Sequence, residues 1–151
     1  VMQRVWASHP RARLALVGSK PTAEVRALAD ARVEVTGYVD DAELARRYAA
    51  ARVTVVPLRY GAGIKGKVVE ALQQGVPLVT TAVGAQGLDG LDAVAAVQDD
   101  PERMAAAIVR LLDDDEAWRR QSRGGAGYAA ARFSRAALRR EMEMAMDGEN
   151  A

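Results

Sequence analysis

The chain has 151 residues, no cysteine and one histidine, and its 21 basic and 20 acidic side chains leave a net charge of +1. That balance excludes disulfides and thiolate chemistry, leaves no zinc constellation, and provides no one-signed field for holding nucleic acid. Half of the residues are hydrophobic, enough for one domain with a sizeable core, and no apolar run approaches the roughly 18 residues of a membrane span.

Val1, Met2, Val5 and Trp6 share a helix face that ends at His9 and Pro10, where a surface turn is expected. Leu14 to Val17 reads as a strand closing on Gly18, Ser19 and Lys20, and Pro21 with Thr22 opens a helix to about Ala29. Val33 to Val39 is the next strand, and Asp40 or Asp41 caps a helix from Ala42 to Ala50 with Leu44, Ala45 and Tyr48 on one face. The β-branched run Val53 to Val56 is a buried strand, the glycine-rich stretch after it a loop, and Lys67 to Gln74 a helix punctuated by Gly75 and Pro77. Leu78 to Thr81 and Ala93 to Val97 complete five strand candidates. Strands alternating with helices predict a parallel, doubly wound α/β sheet of about five strands, here expected in the order 3-2-1-4-5.

After Asp100 the periodicity is helical. Pro101 to Leu112 is amphipathic, and Asp115 starts a helix through Ser122 carrying Trp118, with Gly124, Gly125 and Gly127 expected to break it. Ser134 is the expected N-cap of a last helix, with Leu138, Met142 and Met146 in a stripe. Trp6, Trp118, Phe133 and the methionines read as core or interface residues.

The chemistry concentrates between Gly61 and Glu70. A strand, a glycine loop and a helix N-terminus let backbone amides approach an anion, and Lys65 and Lys67 add two full charges. Gly61, Gly66 and Lys67 fit a P-loop pattern, except that Val68 stands where that pattern needs a Ser or Thr for magnesium. Gly61, Gly63 and Gly66 also spell GxGxxG, but Val79 to Leu88 lacks the acid that should hold the ribose in a dinucleotide site. Glu70 stands among Val68, Val69, Ala71 and Leu72, with a lysine pair at i−3 as its plainest structural use. Gly18, Ser19 and Lys20 end a strand at the carboxyl edge, where open α/β sheets bind ligands, although an ordinary turn accounts for them equally.

Proline after the strand, the GxGxKxK loop from Gly61 to Lys67, Glu70 one turn into the helix, and the run from Ala71 to Leu88 resemble the donor-binding half of the GT-B glycosyltransferases, most closely the retaining family 4. The resemblance covers nearly the whole chain. It implies a Rossmann-like domain over 1–151 that binds a nucleotide diphosphate-sugar. Gly63, Ile64, Lys65, Gly66 and Lys67 would hold the diphosphate and Glu70 the ribose hydroxyls, while Gly18, Ser19, Tyr38 and Val39 would border the nucleobase. Gly84 and Gln86 would belong to the loop near the donor, with Gln86 replacing the family's usual glutamate. No metal or cofactor is called for, and no catalytic residue is expected within the chain. The family's first motif glutamate falls on Ala62, so the group that normally meets the donor sugar is absent and retention of configuration rests on weaker ground.

The resemblance also implies a preceding acceptor domain, through which a parent protein could meet a membrane, and a leading strand between Leu14 to Val17 and Val53 to Val56. Without that strand, unpaired edges are expected to favour strand exchange between copies. A cytoplasmic protein acting on glycan or lipid acceptors is the expectation, with the isolated chain inactive. The rivals are a P-loop-like hydrolase or kinase and a nonenzymatic nucleotide-sugar binding module.

Overall fold

The computed structural model describes residues 1–137 and 139. Helix α1 (Met2–Ser8) precedes β1 (Leu14–Val17), α2 (Ala23–Arg26) and β2 (Val33–Gly37); α3 (Asp41–Ala50) leads to β3 (Thr54–Val56), α4 (Gly66–Gln73) and β4 (Leu78–Thr80). Then come α5 (Ala82–Ala85), a 3-10 turn (Leu91–Ala93), β5 (Ala96–Val97), α6 (Pro101–Asp113) and α7 (Asp115–Phe133). Thr22, Asp40, Thr81, Asp100 and Asp114 each accept a hydrogen bond from a first-turn amide, which explains why α2, α3, α5, α6 and α7 begin where they do. Several elements are shorter than their sequence patterns: α2 stops at Arg26, β2 ends at Gly37 before Tyr38 and Val39, and a 3-10 turn replaces the start of the last strand.

All strand pairs are parallel, and β4 is the centre of the larger sheet. Its Leu78 and Val79 are fully buried on opposite faces. On one face Val56, Val68, Ala71, Leu72 and Leu78 pack with Tyr128 and Ala129 of α7; on the other Val5 and Val79 pack with Met104, Ala105, Ile108 and Leu111 of α6. Helices therefore cover both faces, as a doubly wound arrangement requires.

The pairing order is a correction to 3-2-1-4-5. One sheet has the order β1-β2 and the other β3-β4-β5: β3 pairs with β4 instead of β2, and no hydrogen-bonded ladder joins β1 or β2 to the larger sheet among the described residues. Strands joined by α2, α4 or the α5 segment lie side by side, as sequential elements commonly do; the break falls at α3. That helix spans it with side chains: Arg47 pairs with Glu34 of β2 at 2.8 Å, and the Tyr48 hydroxyl donates to Glu70 of α4 at 3.1 Å.

A second correction concerns Gly124, Gly125 and Gly127. They break nothing, and α7 runs uninterrupted for 19 residues. A Cβ on Gly125 would lie 3.0 Å from Leu72 Cδ2, and one on Gly124 would lie 3.1 Å from Val94 Cγ1. Gly124 and Gly125 thus give α7 close approach to α4 and to the turn before β5, where larger side chains would hold the helix off the core, whereas a Cβ on Gly127 would meet nothing within 4 Å. Ser134 does act as a cap, accepting from Ala137 N at 3.1 Å; the stripe at Leu138, Met142 and Met146 lies outside the described residues. His9 does more than make a turn, since its Nε2 meets Asp113 Oδ1 at 2.8 Å and ties α1 to α6. Both tryptophans are structural: Trp6 Nε1 donates to Ala12 O and Trp118 Nε1 to Arg52 O.

Two expected outcomes follow from this packing. A Cβ on Gly84 would lie 2.0 Å from Thr80 Oγ1 and 3.4 Å from Val56 O, and the buried Thr80 hydroxyl is already committed to Val56 O at 2.8 Å. Gly84→Ala should therefore destabilise the chain by about 1–3 kcal/mol, read as a lower denaturant midpoint; an unchanged midpoint would show that the β3–β4 end can yield.

Hydrogen bonds from backbone amides hold Asp30 and Asp114 below the usual aspartate range, and bonds from Arg47 and Arg52 do the same for Glu34 and Asp115. Because these folded-state values are depressed, their stabilisation is complete above the ordinary carboxyl range and is lost as pH falls through the folded values. The denaturant midpoint should hold steady from about pH 7 to 5 and fall below about pH 4. Asp114→Asn, which can still cap but cannot titrate, should make that acid limb shallower.

Candidate functional site

The glycine loop joins β3 to α4, and its entrance is fixed by β4. Thr80 Oγ1 donates to Val56 O at 2.8 Å, and Thr81 Oγ1 donates to Leu58 O at 2.6 Å while accepting from Gly84 N at 3.1 Å. The chain therefore leaves the sheet at a defined point. It then turns through Gly61 at φ +133° and Gly63 at φ +69°, values that a side chain resists.

Helix α4 begins at Lys65 without a side-chain cap and with no acidic residue in its first turn. Lysine at this end opposes the helix dipole and costs about 0.3–1 kcal/mol per charge unless an anion is present. Lys65 relieves part of that cost by curling back, its Nζ donating to Gly63 O at 2.5 Å. Lys67 is exposed on the first turn. On the inward side Val68, Ala71 and Leu72 are buried, so the helix cannot rotate to hide its charges. Glu70 is half-buried beside that face and bonds to Tyr48, replacing the expected i−3 lysine pair. Burial and the Glu70 charge push the Tyr48 phenol up to about 12. The hydroxyl is therefore a donor to Glu70 across the neutral range.

The second loop reaches the first. Gly87 has φ +77°, and a Cβ there would lie 3.0 Å from Ile64 Cγ1, so the segment after α5 lies against the tip of the glycine loop. Gln86 is exposed next to it at the end of α5, whereas Gly84 is buried and serves the packing described above. The structure thus sets the Gln86–Gly87 turn against Ile64, from which the chain runs through Lys65 and Gly66 into Lys67 and Glu70 of α4.

Gly18, Ser19, Tyr38 and Val39 form a separate group at the carboxyl ends of β1 and β2. Gly18 N donates to Gly37 O at 3.3 Å, Gly37 has φ +76°, and Tyr38 is 79% exposed. No hydrogen bond connects this group to the glycine loop among the described residues. Lys20, which follows Ser19, sits at φ +52°, a left-handed conformation uncommon for lysine.

Two features escaped the sequence reading. In the sequence Tyr48 reads only as part of a helix face, because its contact with Glu70 spans 22 residues and leaves no local trace. Tyr60 is 86% exposed inside the glycine loop; an aromatic residue flanked by Arg59 and Gly61 was the available signal.

Residues 1–114 match the family described as Glycosyl transferases group 1. Among solved structures, the fold superposes on a sucrose-phosphate synthase from Thermosynechococcus elongatus with a TM-score of 0.76 and 29% identity, covering 97% of this chain and 41% of the synthase. It also resembles a protein described as a UDP-N-acetylglucosamine 2-epimerase from Listeria monocytogenes, with a TM-score of 0.53 and 15% identity over 85% of this chain and 45% of that one, a likeness of fold alone. The chain spans about two fifths of the synthase's length, and no curated protein matches it. The family match covers three quarters of the chain, and the parallel strands with helices on both faces are those of a GT-B half. This chain belongs to the group 1 glycosyl transferases.

Proposed function

We propose that this domain grips the nucleotide and diphosphate of a nucleotide diphosphate-sugar, for transfer of the sugar to a glycan or lipid acceptor held by a second domain. The observation that carries the reading is the uncapped start of α4. There Lys65, Lys67 and first-turn amides present positive charge, with Glu70 one turn further on. A diphosphate at this point would replace the missing cap, and Glu70 would accept hydrogen bonds from the ribose hydroxyls. As the glycosidic bond breaks, negative charge grows on the leaving diphosphate, and the same lysines and amides stabilise it more than they stabilise the intact donor. With Ala62 in place of an acid, the glycine loop brings no carboxylate to the sugar at that position, so sugar selection falls to other groups, the exposed Gln86 among them.

Nucleoside diphosphates should bind at this loop. Lys67→Ala should weaken diphosphates about tenfold or more while leaving nucleosides nearly unaffected, since a nucleoside never meets that charge; Glu70→Gln should weaken both. Isothermal calorimetry reads these differences, and added magnesium should change little. Binding that requires magnesium and a triphosphate, with Glu70→Gln silent, would replace this reading by a nucleotide hydrolase.

A further inference from the structure

The Tyr48–Glu70 pair has a use that neither residue's packing explains. Tyr48 stands near the end of α3, its ring against the apolar cluster beneath α4 and its hydroxyl 3.1 Å from Glu70 Oε2. An ionised carboxylate offers about four acceptor positions, and a phenol that takes one of them fixes the plane of the other three. A free glutamate has considerable rotamer entropy, much of which must otherwise be lost when a ligand binds. Here that ordering is done before any ligand arrives. The body of α3 is itself anchored, because Arg47 donates both guanidinium amines to Glu34 of β2, and its charge lies 2.8 Å from Glu43 within the helix.

We propose that Tyr48 is a positioning residue for donor binding: its hydroxyl orients the Glu70 carboxylate toward the ribose diol. The assignment rests on the donor reading above and adds to it the residue that sets the geometry of the ribose contact. The ring of Tyr48 belongs to the core, so the aromatic body is structural and the hydroxyl is the functional part. Tyr48→Phe separates the two, keeping the ring and removing only the donor.

The test uses UDP, ADP and GDP with their 2′,3′-dideoxy counterparts, each titrated by calorimetry into the wild-type chain, Tyr48→Phe, Glu70→Gln and the double variant. Tyr48→Phe should weaken the ribonucleotide that binds by about three- to tenfold and leave its dideoxy form unchanged. In the Glu70→Gln background the same change should have no further effect. Equal losses for the ribo and dideoxy forms, or additive losses in the double variant, would show a structural role and overturn the assignment. If none of the three nucleotides binds, the donor reading falls and the assignment with it. A ligand-free measurement completes the test. Ultraviolet titration, with Tyr48 identified by difference from Tyr48→Phe, should show the phenol ionising at lower pH in Glu70→Gln; an unmoved phenol would mean that the two side chains are not coupled in solution.

Discussion

The site depends on how α4 is seated. Val68, Ala71 and Leu72 stand at i, i+3 and i+4, all fully buried between the sheet and α7. Each residue advances the helix by about 100°, so a rotation of one step would drive a charged or polar side chain into the apolar cluster and bring a buried one out. Burying a residue such as Leu72 contributes about 1.5–3 kcal/mol, and an unpaired charge in its place costs more. The orientations of Lys67 and Glu70 are thus consequences of where the hydrophobic residues fall. Gly125, against which Leu72 packs, is the complementary part on α7.

Local pattern made most of the elements legible. Asp40, Asp100 and Asp114 each stand just before a helical run and each caps the helix that follows, and the apolar run at Leu14 and the β-branched runs at Val33 and Thr54 are strands. What was not legible depends on partners distant in the chain. Glycines near 125 look like breakers because glycine is a poor helix former, and only the presence of Leu72 and Val94 against them shows that their smallness is used for contact. Strand order likewise depends on which faces meet, and nothing in the letters of Thr54 to Val56 says that they pair on one side only. The glycine loop was readable because its chemistry is compressed into ten residues. Tyr48 was not, because its role is shared with a residue on another helix.

The two sheets bear on the same point. Arg47 and Tyr48 are adjacent on α3, one bonded to β2 and the other to α4, so one helix turn connects the smaller sheet to the helix that carries the charged loop. Side-chain contacts do there what a ladder of backbone hydrogen bonds does elsewhere. Backbone ladders survive most side-chain changes, whereas each half of this connection rests on one side chain and is removed with it.

The curled Lys65 sets a threshold for whatever anion reaches the loop. Its ammonium group already holds Gly63 O, so a newcomer gains only the difference between its own bond and the one it displaces. A single weakly charged oxygen gains little by that exchange, whereas a multiply charged group can hold the released lysine and the helix amides at once. A diphosphate bound there as proposed would therefore be favoured over simple salts by its charge density, through competition from the loop's own backbone.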